Sequence, residues 1–118
     1  MAVKRIDVTQ EDIDKGCRWI AQACPVWRAV KRHLAPDAGF STCSTFCCFW
    51  LGQQSKPSEV TPSIYHAAPV RSWISLYDYG VTVKPFSFSL DIPDWALAEK
   101  RGRGDDEPVR QTTKEDAP

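Results

Sequence analysis

The sequence predicts a small α+β domain: a mainly antiparallel sheet carrying two helices, in the order β-α-β-(β)-α-β, with a disordered C-terminal tail. Three observations carry that prediction. Two segments repeat apolar residues at helical spacing: Val26, Val30 and Leu34, then Val70, Trp73, Ile74 and Tyr77. The runs around them are rich in Thr, Phe, Val and Cys, the composition of strands. After Leu97 the composition changes abruptly, and residues 98–118 hold five basic and six acidic side chains, a polyampholyte that cannot bury a core. The domain is therefore placed at residues 1–97 and the tail at 98–118. With 118 residues, 42% of them hydrophobic, one modest core is expected.

The elements follow in order. Val3 to Val8 alternates charged and apolar residues, with Ile6 and Val8 on one face, and reads as a strand. Thr9 is placed to cap a helical turn whose first positions, Glu11 and Asp12, suit the positive end of a helix dipole; Gly16 ends it. Residues 17–23 show no period, and Trp19 and Ile20 supply apolar surface there. Pro25 opens the first helix, because a missing N–H costs nothing at that position. The cluster Ala35-Pro36-Asp37-Ala38-Gly39 closes it.

Phe40 to Leu51 carries no charge and reads as a strand buried on both faces or as a bent hairpin. Gly52 to Ser63 reads as a loop, and Ile64-Tyr65-His66 as a short strand. Pro69 opens the second helix and Gly80 closes it, with Asp78 expected on its outer face. From Val81 to Ile92 a strand is expected, with a bulge or an edge at Lys84-Pro85 and with Ser87 and Ser89 facing water.

No catalytic constellation emerges from these residues. Cys24 at a helix start is positioned for a lowered thiol pKa, but a nucleophile needs a base, and His33 stands more than two turns along the same helix. A small buried capping residue is the simpler role. Cys43, Cys47 and Cys48 have C-x3-C-C spacing rather than the paired C-x2-C of zinc knuckles. On a strand, adjacent Cys47 and Cys48 point to opposite faces. No metal or other cofactor is expected. Five cysteines, an odd number without an export signal, fit reduced thiols in a cytoplasm, and no apolar run is long enough for a membrane span.

Net charge is zero, which gives no global reason to bind nucleic acid. Locally, Arg28, Lys31 and Arg32 make a basic helix face beside Trp27, a candidate phosphate contact. Five tryptophans and five phenylalanines are many for one small core. Trp27, Trp50, Trp95 and Tyr79 have no assigned core stripe, and tryptophan and arginine are typical interface anchors. The candidate partner-binding residues are therefore Trp27, Arg28, Lys31, Arg32, Tyr79 and Trp95, and exposed aromatics also favour a homodimer.

Two runs resemble a known group. Val8-Thr9-Gln10-Glu11-Asp12-Ile13, then Gly16, then Cys24-Pro25-Val26 with Ala29 and Arg32, is similar to the first half of small accessory proteins of bacteriophages and prophages. Val70-Arg71-Ser72-Trp73-Ile74, Tyr77-Asp78-Tyr79-Gly80, Val83 and Pro85-Phe86-Ser87-Phe88 resemble their second half. The likeness spans roughly residues 5–92, and Phe40 to Ser63 departs from it, as do Trp27 and Arg28. It implies a non-enzymatic cytoplasmic factor that binds and modulates a host protein or complex, anti-defence roles such as anti-CRISPR included. The alternative is a nucleic-acid-associated regulator using the basic helix face, with a zinc- or thiol-dependent enzyme a more distant third. No functional residue is carried over from the resemblance, which consists of turn and core positions.

Overall fold

Alternation of apolar and polar side chains makes the first and last strands partners. The computed structural model describes residues 2–101. In it β1 (Ala2–Val8) pairs antiparallel with β6 (Phe86–Ile92), from Ala2 opposite Ile92 to Val8 opposite Phe86. Ile6, Val8, Leu90 and Ile92 face the core, while Ser87 and Ser89 face water.

A second sheet holds β2 (Ala38–Thr42), β3 (Phe46–Gln53), β4 (Lys56–Val60) and β5 (Ile64–Tyr65), all paired antiparallel with β3 at their centre. The fold is thus α+β with antiparallel pairing throughout, but it is divided between a ribbon and a four-stranded sheet rather than joined in one. Both sheets contribute to one core, where Phe40 and Phe49 meet at 4.8 Å beside Ile6, Val26, Val30 and Ile74.

Three helical segments accompany the two sheets. Thr9 caps α1 (Gln10–Lys15) through a reciprocal box: Asp12 N–H donates to Thr9 Oγ1 at 3.2 Å and Thr9 N–H donates to Asp12 Oδ2 at 3.0 Å. The expected first helix is α2 (Pro25–Lys31), shorter than its periodicity implies. Leu34 continues the buried stripe from the following turn and bridges to Leu97. The second is α3 (Ala68–Asp78). It ends in a Schellman motif, with Gly80 at φ 83°, Gly80 N–H on Tyr77 O and Val81 N–H on Leu76 O. Tyr77, Trp73, Phe86 and Phe88 then stack in succession, at 5.9, 4.5 and 5.5 Å, and tie α3 to β6.

Several expectations change. The uncharged Phe40–Leu51 run is a hairpin, turned where Cys43 N–H donates to Phe46 O. The predicted loop 52–63 contains β4. It was hidden because an exposed edge strand with Lys56, Pro57 and Glu59 has no apolar face, and those residues blunt the edge against further pairing. Val81 and Val83 precede β6 instead of belonging to it, since the Schellman turn carries the chain away from the ribbon.

Asp78 is not on an outer face but buried, and so is Asp12. Leu97 is fully buried, α4 (Ala98–Arg101) follows it, and Glu99 pairs with Lys4. The rest of the predicted tail, 102–118, lies outside the described residues.

One close approach requires glycine: a Cβ on Gly39 would overlap the indole of the buried Trp50 on the neighbouring strand. Among the described residues no helix is long and apolar enough to cross a membrane.

Candidate interaction surface

The basic helix face turns out to serve the fold. Arg32 forks onto the buried Asp12, with Nη1 to Oδ1 at 2.6 Å and Nη2 to Oδ2 at 2.8 Å, and Nη2 also donates to Asp7 O. Arg28 Nε lies 3.4 Å from Asp12 Oδ1, an ionic contact without a hydrogen bond. Burial raises the Asp12 pKa, but the Arg32 fork and the Thr9 N–H outweigh it and hold the carboxyl below its ordinary value. Lys31 Nζ donates to Ala38 O at 2.8 Å, and Trp27 Nε1 donates to Phe40 O at 2.7 Å. Trp27, Arg28, Lys31 and Arg32 do share a shallow hollow with Glu11. Their polar groups are largely engaged within the chain. Trp95 sits in a 3-10 turn (Asp94–Ala96), half-buried against the core. Of the aromatic residues singled out from sequence, Tyr79 is the one displayed, 77% exposed; Arg32 is exposed as well, but its guanidinium is held by Asp12.

Tyr79 does not stand alone. Trp19, 62% exposed, meets it edge-on at 4.9 Å. Ile20 and Leu76 are exposed beside them at 51% and 47%. Trp19, Ile20 and Ser44 line one hollow; Ser44, Leu76, Tyr79 and Arg71 line the next, so the surface is continuous from the 17–23 loop across the hairpin turn to α3. Exposed apolar groups gathered this way mark interaction sites, whereas scattered ones do not.

The loop that presents Trp19 is fixed at several points. Cys17 N–H donates to Ala23 O, Thr42 N–H to Ala21 O, and Arg18 Nε to Tyr77 O. Trp19 itself is left-handed, at φ 64°, with its N–H donated to Asp78 Oδ1 at 2.9 Å. A non-glycine residue rarely adopts that conformation, and its cost is tolerated where surrounding structure over-determines it. Aromatics held rigidly lose little freedom on binding. Sequence reading passed over Trp19 because the 17–23 loop has no period. Its one signal was a tryptophan and an isoleucine side by side in a segment too short to bury either.

The thiols fit structural roles. Cys24 Sγ accepts from Trp27 N–H at 3.4 Å as the cap of α2, and burial pushes its pKa up to about 11. Burial likewise pushes Cys47 up to about 12. All five cysteines are free, and among the described residues no three Cys, His, Asp or Glu side chains converge.

His66 supports the floor of this surface. It is buried and meets Thr42 Oγ1 at 2.7 Å through Nε2, while the Thr42 hydroxyl donates to Cys43 O. Burial lowers the His66 pKa below 6.5, offset in part by a hydrogen bond to the Cys43 backbone, and the nearby Arg71 lowers it further.

The neutral ring is therefore the form that folding favours. Its contribution is complete above pH 6.5, shrinks as acid protonates the unfolded chain first, and levels off below the folded-state pKa. His33, also lowered by burial first and then by Lys4 and Arg32, acts in the same window. Thermal midpoints between pH 7 and 5 are expected to fall, and to fall less steeply in His66→Gln. Equal slopes in the two proteins would remove His66 from the account.

The molecule is thus a small α+β domain with a rigid exposed aromatic face. No family model, curated protein or solved structure matches the chain.

Proposed function

We propose that this protein acts by binding another protein through the face formed by Trp19, Ile20, Leu76 and Tyr79, and that it is not an enzyme. One observation carries the reading: large apolar side chains of the 17–23 loop and of the end of α3 are exposed together, the loop is pinned to α3 and β2, and Trp19 is held in the left-handed region. Trp and Tyr are the residue types that most often dominate binding energy. The likeness of two sequence runs to phage accessory proteins supports a host protein or complex as the partner, a defence complex included, and hence a viral inhibitor working in the bacterial cytoplasm.

The experiment is affinity capture from host lysate with three baits: wild type, Tyr79→Ala with Leu76→Ser, and Lys31→Ala. A partner recovered by wild type and Lys31→Ala but lost from the double variant is the expected result. A partner lost from Lys31→Ala and kept by the double variant would move the binding face to α2.

A further inference from the structure

We infer that the partner presents a lysine side chain, and that the cavity beside Trp19 receives its ammonium against the Asp78 carboxylate. This rests on the reading of that face as a protein-binding surface and names what the surface selects.

The cavity measures about 100 Å³. Trp19, Ile20, Cys24 and Ile74 give it apolar walls, while Thr42, Ser44 and Asp78 supply polar side chains, Asp78 the one carboxylate among them. Asp78 is 7% exposed, accepts one hydrogen bond through Oδ1 from Trp19 N–H, and has no Lys or Arg paired with it among the described residues. A carboxylate so buried is costly without a cation. It also sits at the last residue of α3, the negative end of an 11-residue helix, so the helix dipole favours a cation at the same place.

Shape narrows the cation. A cavity of roughly 150 Å³ takes benzene, so 100 Å³ takes about four heavy atoms. A lysine stem is a single file of methylenes that packs along apolar walls and ends in a compact ammonium. The guanidinium of arginine is a broad planar fork, suited to flatter sites. Trp19 at the rim adds an aromatic ring for the incoming charge. Apolar walls alone would accept any aliphatic side chain; the buried carboxylate makes the site select lysine.

The test uses the full chain, ¹⁵N-labelled, titrated with a blocked Gly-Lys-Gly peptide at millimolar concentration. The Trp19, Ile20 and Asp78 amides and the Trp19 indole are expected to shift and saturate. Matching peptides with norleucine or arginine in place of lysine should bind at least about tenfold more weakly, the equivalent of 1.4 kcal/mol. Asp78→Asn keeps an acceptor for Trp19 N–H but removes the charge; it should lose the lysine response while the unliganded Trp19 amide stays in place.

Equal binding of lysine and norleucine peptides, no response to lysine, or an undiminished response in Asp78→Asn each overturns the inference. The peptide comparison needs no variant, so a disturbed Asp78→Asn leaves it decisive. If the lysine peptide fails while Tyr79→Ala with Leu76→Ser still abolishes capture, the binding face stands and the lysine assignment falls. Wild-type dimerisation that Asp78→Asn abolishes would place one of the chain's own lysines in the cavity and overturn the assignment to a foreign partner.

Discussion

Asp12→Ala is expected to destabilise the protein by about 3 kcal/mol, from the loss of the hydrogen bond that Thr9 N–H donates to the carboxylate, worth about 1 kcal/mol, and of the charged hydrogen bonds from Arg32, worth about 2 kcal/mol. The carboxylate is fully buried and joins three elements: it accepts from Thr9 N–H at the start of α1, receives the Arg32 fork from the end of α2, and, through Arg32, is tied to the Asp7 carbonyl of β1. Removing it also strands Arg28 Nε, which is buried and has only this ionic contact. The arginine head groups are partly exposed and regain some water, which keeps the expected cost at the lower end of the range for a broken buried pair, about 3–5 kcal/mol.

For a domain of this size 1 kcal/mol moves Tm by roughly 4–8 °C, so a fall of at least about 12 °C is expected. Asp12→Asn should also cost stability, since an amide cannot neutralise two guanidinium groups. Denaturant melts at pH 7 check this; a loss under about 1 kcal/mol would mean that solvent screens the cluster as it does surface pairs. The acid dependence is a second check. The Asp12 pKa is held below 3.8 in the fold, so its contribution persists above that value and disappears only as pH falls through the lower folded-state pKa. That step lies well below the loss of neutral His66 and His33, which begins at 6.5.

The same cluster shows where sequence reading reaches and where it stops. The Thr9 cap, Pro25 as the first helical residue, the Val26-Val30-Leu34 stripe and the Gly80 stop are local features, and the structure contains each of them. The pairing of Asp12 with Arg32 is not local: two residues that each looked like solvated charge neutralise one another only once α1 packs on α2. Asp78 was misplaced for the same reason, because helical spacing marks a residue as polar but cannot show a loop folding over it. β4 escaped because periodicity detects burial and this strand has almost none. The candidate site divides along the same line. Tyr79, the last residue before the Gly80 stop, is among the residues the sequence singles out, whereas Trp19 lies in an aperiodic loop whose shape depends on hydrogen bonds to Thr42, Tyr77 and Asp78.

Trp19→Gly is expected to separate binding from stability. In the fold, the substitution removes an L-residue from the left-handed region, a relief of roughly 1–2 kcal/mol. Glycine returns about 0.5–1 kcal/mol of that as extra freedom in the unfolded chain, and the lost edge contact with Tyr79 removes about 0.5–1.5 kcal/mol more. These terms nearly cancel, so Tm should change little, in contrast to truncation of the buried Trp50, where a loss of about 3–5 kcal/mol is expected.

In the complex nothing offsets the missing indole. A central tryptophan typically contributes at least about 2 kcal/mol, so the partner should bind roughly 30-fold more weakly, mostly through faster dissociation. Surface-plasmon or calorimetric titration of the captured partner, set beside thermal melts of the same samples, reads both quantities. Unchanged affinity would take Trp19 out of the interface. A large gain in stability with unchanged affinity would leave its left-handed backbone unexplained by binding. Weaker binding at constant stability is the pattern a strained but functional residue produces, because the fold then carries a conformation whose benefit appears only when the partner is present.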